Sequence, residues 1–217
     1  MTLRWNKLTS GNDSTSETIS QIVCHPNRCG RVGRYEFGRV LLGKAIGRQR
    51  RSGRAPRENR TGPGQESVWD YPRPPRAEAT DKHVRVVLAG EVIAESTRAI
   101  RVLDTSHPPT YYLPAEDVRL DLLDASEKTS SCEFKGRAEY YCVGVGEVVK
   151  RNAAWSYPDP SPAYTAIAGH VAFYPGAMDE CTVDGVHVTP QEGDFYGGWV
   201  TPEIVGPFKG APDTRGW

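Results

Sequence analysis

No stretch of about 18 consecutive apolar residues occurs in this sequence, so it contains no candidate for a membrane-spanning helix. The first twenty residues, MTLRWNKLTSGNDSTSETIS, lack the basic-then-apolar order of a secretory leader. Together these absences point to a cytoplasmic protein with no membrane partner. A cysteine framework is missing too. Cys24, Cys29, Cys132, Cys142 and Cys181 are odd in number and widely scattered, and a chain of 217 residues buries enough surface to fold without disulfide staples. Reduced thiols are expected. Cys24, His25 and Cys29 are near neighbours, and Cys181 stands close to His187, but neither group contains the C-x2-C pair that lets two sulfurs of one turn reach one tetrahedral ion. A Gly-rich phosphate loop of the P-loop type is also absent. Neither a metal nor a cofactor is expected.

Net charge is zero, which hides an asymmetry. Residues 1–65 carry 13 basic and 4 acidic side chains, whereas residues 66–217 carry 14 basic and 23 acidic ones. The first segment joins a Ser/Thr/Asn-rich start to the arginine-dense RCGRVGRYEFGRVLLGKAIGRQRRSGRAPRENRTGPG. Only YEFGRVLLGKAI has the makings of a short amphipathic helix, and its two glycines each weaken it by about 1 kcal/mol relative to alanine. A disordered arm is expected. One reading makes it a tether to nucleic acid or another acidic surface through its arginines. Because basic and aromatic residues hardly interleave here, the favoured reading is a solvated tail, or sequence upstream of the true start, with no nucleic-acid partner.

From Glu66 onward, short apolar-alternating runs are separated by Gly, Pro, Asp and Asn. HVRVVLAGEVIAES reads as two strands meeting near Ala89-Gly90, and CTVDGVHV carries Asp184-Gly185 between β-branched residues, a strong hairpin signal. AIRVLD, TYYLP, VRLDLL and EYYCVGV fit further strands. The best helix candidate is SPAYTAIA, with Ser161 as cap, Pro162 at the first position and Gly169 at the end. The expected fold is therefore mostly β. It is a single compact twisted-sheet or partly closed barrel domain over 66–217, with one or two short helices and the 1–65 arm outside it. The closing FYGGWVTPEIVGPFKGAPDTRGW is too rich in glycine and proline for regular structure, and is expected to wrap the domain as an extended strap held by Trp199, Phe208 and Trp217.

The blocks SSCEFKGRAEYY, NAAWSYPDP and GHVAFYP, preceded by AGEVIAEST and YYLPAEDV, occur together and in order. On these blocks, residues 66–217 resemble the bacterial domain of unknown function 427 family, sometimes labelled nucleotidyltransferase-like. The resemblance implies a tent-like set of sheets around a cavity, and says little about substrate. ESVWDYPRPPR resembles a natural beginning for such a chain. Metal-dependent nucleotidyl transfer would require carboxylates clustered around Mg²⁺, for which Asp117 and Glu95 are the candidates and Glu116-Asp117 the nearest acidic doublet.

Period-two geometry divides SSCEFKGRAEYYCVGV into two faces, if it is one strand. Cys132, Phe134, Gly136, Ala138, Tyr140 and Cys142 share one side, and Glu133, Lys135, Arg137, Glu139 and Tyr141 the other. Cys132 and Lys135 then point apart, and only a break at Gly136, a residue that tolerates positive φ, reconciles them. If Lys135 turns inward among aromatics, it becomes either a nucleophilic amine or an anion-binding cation beside a thiolate-biased Cys132. The plainer reading leaves Lys135 solvated and Cys132 a small core residue.

Trp155 and Tyr157 alternate onto one face before two prolines, and Tyr112 in TYYLP raises the same choice between pocket wall and core. Glu95, close to a strand end, offers a base or a hydrogen-bond acceptor. His107 precedes Pro108-Pro109 in a loop, and no Ser–His–Asp triad can be assigned by role. The leading expectation is a protein that binds an unidentified small molecule in a cavity centred on Lys135. Its lining would be Tyr112, Cys132, Tyr140, Trp155, Tyr157 and Tyr174, with Glu95 and Asp117 as further ligand contacts and Lys135 and Cys132 as the reactive pair if the protein is an enzyme. Nucleotidyl transfer and an interaction protein with a basic arm are the alternatives.

Overall fold

A computed structural model describes residues 59–193, 195–210 and Thr214. Residues 1–58 of the expected basic arm, including the YEFGRVLLGKAI helix, and Trp217 lie outside the described residues, while the arm's last residues, 59–65, are described and bond to the tail through Asn59 N–H to the Gly206 carbonyl and Gln65 Nε2 to the Pro202 carbonyl. The strands, in chain order, are β1 (Glu66–Ser67), β2 (Arg76–Ala79), β3 (Val84–Leu88), β4 (Glu91–Ser96), β5 (Ile100–Leu103), β6 (Thr110–Pro114), β7 (Leu123–Cys132) and β8 (Gly136–Val145). After these come β9 (Val148–Ser156), β10 (His170–Phe173), β11 (Glu180–Val183), β12 (Val186–His187), β13 (Thr189–Pro190), β14 (Trp199–Val200) and β15 (Ile204–Val205). The domain is mostly β. An antiparallel seven-stranded sheet in the order β2-β5-β6-β10-β9-β8-β7 packs on an antiparallel four-stranded sheet in the order β12-β11-β3-β4. Two two-stranded pairings, parallel β1-β15 and antiparallel β13-β14, tie the tail back onto the body. Among the described residues the sheets do not close into a barrel, and no helix is long and apolar enough to cross a membrane.

Local chemistry explains the turns. Ala89 (φ 50°) and Gly90 (φ 79°) join β3 to β4, and Asp184 (φ 51°) and Gly185 (φ 75°) join β11 to β12. Positive φ at both central residues is what a two-residue loop needs to follow the twist of its strands. Helical structure among the described residues is confined to short 3₁₀ turns, of which Pro162–Ile167 is the longest. Ser161 does not cap that turn as expected. Its hydroxyl is diverted to the carbonyl of Phe134, and the turn lacks a side-chain cap. VRLDLL is likewise not one strand: Val118 makes a single bridge to Ala94, Leu120–Leu122 is a 3₁₀ turn, and β7 begins at Leu123.

Alternation gives the seven-stranded sheet two different faces. Tyr111, Leu113, Val143, Val171 and Phe173 pack with Val84, Val86, Leu88 and Ile93 of the four-stranded sheet, and with Trp199 from the tail. The intervening residues Tyr112, Ala138, Tyr140, Trp155 and Ala172 form a second cluster with Tyr157, Tyr164 and Ile167. A third cluster of Val68, Tyr71, Leu103 and Ile204 takes Phe208 against it, so the tail does behave as a strap, although short strands interrupt it.

Candidate functional site

The stretch around Lys135 is a hairpin rather than one strand. β7 ends at Cys132, which pairs with Gly136 at the start of β8, and Glu133, Phe134 and Lys135 form the tip. Gly136 has φ +97°, so the alternation is broken at the expected glycine, but by chain reversal. Reversal removes the conflict that a continuous strand would impose, and Cys132 and Lys135 line the same cavity. Both are half-buried.

The tip is held from two sides. The Ser161 amide donates to the Lys135 carbonyl at 3.1 Å and its hydroxyl to the Phe134 carbonyl. From the other side, Arg73 pairs with Glu133 at 2.5 Å and with Asp104 at 3.1 Å, and its guanidinium lies 5.0 Å from the Phe134 ring centroid. Facing bulges shape the neighbouring strands. Ser126–Lys128 of β7 lie opposite Tyr140, where the register shifts between Ala125 and Thr129, and Asn152 (φ 52°) lies where β9 shifts against β8. The Ser126 hydroxyl donates to Asn152 Oδ1 at 2.5 Å. The β7 bulge places Lys128 Nζ 4.0 Å from the Tyr140 ring centroid.

These elements surround a cavity of about 410 Å³. Tyr112, Cys132, Lys135, Tyr140, Trp155, Tyr157 and Tyr174 all line it. Trp155 donates its indole N–H to the Tyr112 hydroxyl at 3.3 Å, and the two rings meet edge to face at 85°. Tyr174 also lies against Trp155, at 4.5 Å between centroids, and its hydroxyl donates to the Phe195 carbonyl at 3.2 Å. Tyr140 and Ser130 share a hydrogen bond at 2.9 Å. Burial, followed by contact with neighbouring hydroxyls and the Cys132 thiol, pushes the Tyr157 phenol well above its ordinary range, and burial does the same for Tyr112. The walls are therefore neutral phenols with polar tips.

Several lining residues were not singled out by sequence reasoning. Arg73 precedes the first strand of the large sheet, and His107 comes from the β5–β6 connection. Gln191, Tyr196 and Gly197 come from the tail, and a Cβ at Gly197 would overlap the Trp155 indole, so only glycine lets the tail lie so close. The His107 side chain is only 13% exposed. Its Nδ1 lies 2.9 Å from the Thr105 carbonyl, its ring meets Tyr196 edge to face at 4.6 Å, and its Nε2 is buried without a hydrogen-bond partner. Burial pushes its pKa below the ordinary imidazole value, partly offset by the Thr105 carbonyl and by Asp104. The Pro108-Pro109 pair after it was the available signal, since such a rigid step fixes a loop in place.

Glu95 and Asp117 do not line this cavity. Glu95 Oε1 lies 2.8 Å from His83 Nε2, whereas Asp117 receives hydrogen bonds from Ser96 Oγ at 2.6 Å and Arg98 Nη2 at 2.7 Å. The arginine and the Ser96 hydroxyl hold the Asp117 carboxyl low against a contrary effect of burial, the largest single contribution. Because Glu95 and Ser96 are consecutive on β4, Glu95 and Asp117 flank opposite faces of that strand and do not fit a shared divalent ion. Among the described residues, no three His, Cys, Asp or Glu side chains are grouped as a metal ion would need.

Against known proteins, the family model described as Domain of unknown function (DUF427) matches residues 76–184. That span runs from β2 to the β11–β12 turn and contains most of the cavity wall, while Gln191, Tyr196 and Gly197 lie beyond it. No curated protein matches the chain.

Proposed function

The chain belongs to the family Domain of unknown function (DUF427), and on that footing we propose that it binds a small molecule in the aromatic cavity, with Lys135 as the polar centre. The observation that carries this reading is the contrast inside the cavity between Lys135 and its charged neighbours. Arg73 is taken up by Asp104 and Glu133, whereas Lys135 makes no ion pair among the described residues and has its Nζ 5.8 Å from the Tyr157 ring centroid. A volume of about 410 Å³ lies within the ~300–1,000 Å³ common for ligand pockets. Flat walls from Trp155, Tyr157 and Tyr174 favour a planar or acyl group, and the tyrosine hydroxyls supply orientation without added charge.

Native mass spectrometry of the protein purified from its own host tests the proposal. A bound mass retained by the wild type and lost in Lys135→Ala is the expected result. A wild type that carries nothing, or a mass held equally by both proteins, counts against it.

A further inference from the structure

Two nucleophilic side chains share the cavity wall. Cys132 and Lys135 flank the hairpin tip, and because Cys132 pairs across the ladder with Gly136, the residue just before Gly136 is brought beside it. Among the described cysteines Cys132 is the exception, half-buried where Cys142 and Cys181 are closed off in the interior. Phenols surround its sulfur: Tyr157 is a direct neighbour of the thiol, and Tyr112 and Tyr164 lie near it. Lys135 is uncommitted. The two carboxylates of the lining, Asp104 and Glu133, both contact Arg73, and Lys135 makes no ion pair among the described residues. A partly exposed thiol beside a cation is the setting in which cysteine acts as a nucleophile rather than as a small core residue.

One ligand class engages both groups. A carboxylate would use the lysine and leave the thiol idle, and a plain arene would use neither. An α,β-unsaturated carbonyl compound presents a soft electrophilic carbon to sulfur and, a few bonds away in the same plane, an oxygen that gains negative charge when that carbon is attacked. Its conjugated plane also suits the flat walls of Trp155 and Tyr174. We infer that Cys132 and Lys135 together form a covalent capture site for planar α,β-unsaturated carbonyl compounds. The Cys132 sulfur bonds to the β carbon, the π pair of the double bond moves onto the carbonyl oxygen, and the resulting enolate is held by the Lys135 cation. The proton given up by the thiol ends on the α carbon, so S–H has added across C=C with no leaving group, oxidant or cofactor. The inference rests on the binding role proposed above and adds a bond-forming step to it.

Incubation of the full chain with benzylideneacetone, followed by borohydride reduction and peptide mass spectrometry, tests this. Benzylacetone, its saturated counterpart, serves as the ligand that can bind but not react. The Cys132 adduct should form at least about tenfold faster than the adduct of N-acetylcysteine amide at the same pH, and its rate should saturate with enone concentration. Lys135→Gln should lower the maximal rate at saturation by about tenfold or more, and Lys135→Arg, which keeps the cation, should restore most of it. An adduct rate no greater than that of the free thiol, a rate that rises without saturation, or a maximal rate that Lys135→Gln leaves unchanged overturns the capture site. The wild-type comparison with the free thiol decides the matter whether or not Lys135→Gln folds. Isothermal titration with benzylacetone separates capture from binding. If benzylacetone binds while capture fails, the aromatic cavity stands as a binding site without a bond-forming step. If it does not bind and no Cys132 adduct forms, the capture site and the binding role fall together.

Discussion

The two faces of the seven-stranded sheet are built by alternate residues of the same strands, yet one is filled and the other is hollow. On the filled face, Leu113, Val171 and Phe173 meet a complementary sheet, and Phe173 is fully buried. On the hollow face, Tyr112, Tyr140 and Trp155 meet only a hairpin tip, a 3₁₀ turn and the tail. Three irregular elements cannot interdigitate with a flat surface as a second sheet does, so a space remains. Side chains around such a space need breadth to be stable with one side empty and a polar tip for whatever enters it. Tyrosine and tryptophan supply both.

The largest expected effect lies on the filled face. Phe173→Ala should cost about 3–5 kcal/mol in urea unfolding, because a close-packed site cannot collapse around the loss. Trp155→Ala, which merely extends an existing space, should cost less than Phe173→Ala in the same assay. Equal losses would show that the second face is packed like the first. Gly197→Ala inserts a methyl group against the indole and should cost about 1–3 kcal/mol while changing tryptophan fluorescence. An unchanged spectrum and midpoint would mean that the tail does not press on Trp155.

Ser161→Ala removes one of the two bonds from the loop to the hairpin tip and should cost about 1 kcal/mol, with faster amide exchange at residues 133–136. If exchange there is unaltered, the Ser161 amide bond and the Arg73 pairing hold the tip without the hydroxyl. The smallest effect is the pH response of His107. Its folded pKa lies below the ordinary imidazole value of about 6.5, so in the window between the two the unfolded chain binds more protons. Stability contributed by this site is therefore intact above that window and falls as pH drops through it. Asp104, Lys209 and Arg73 are the charges facing the ring. His107→Phe should flatten the slope of unfolding free energy between pH 7 and 5, and a slope unchanged by the variant would remove His107 as its cause.

Much of this could be read from the chain. The Ala89-Gly90 and Asp184-Gly185 turns were visible because positive φ has few tolerant sequences, and Trp155 and Tyr157 shared a face through alternation alone. β7 was not visible. Its sequence LDASEKTSSC lacks an apolar alternation, because it is an edge strand with most of its side chains exposed. Missing that strand turned a hairpin into a single run and set Cys132 and Lys135 against each other. Glu95 and Asp117 looked like partners in sequence, but period two sends their neighbourhoods to opposite sides of β4.

By itself the sequence determined a mostly β domain, its tight turns, its family blocks and the aromatic character of one sheet face, since these depend on backbone sterics and on alternation over a few residues. Only the tertiary structure decided that Lys135 and Cys132 face one space, that Arg73 and His107 join them from distant segments, and that the tail closes the far side. Those outcomes depend on where chain reversal and sheet order bring remote residues, and no local pattern encodes that distance.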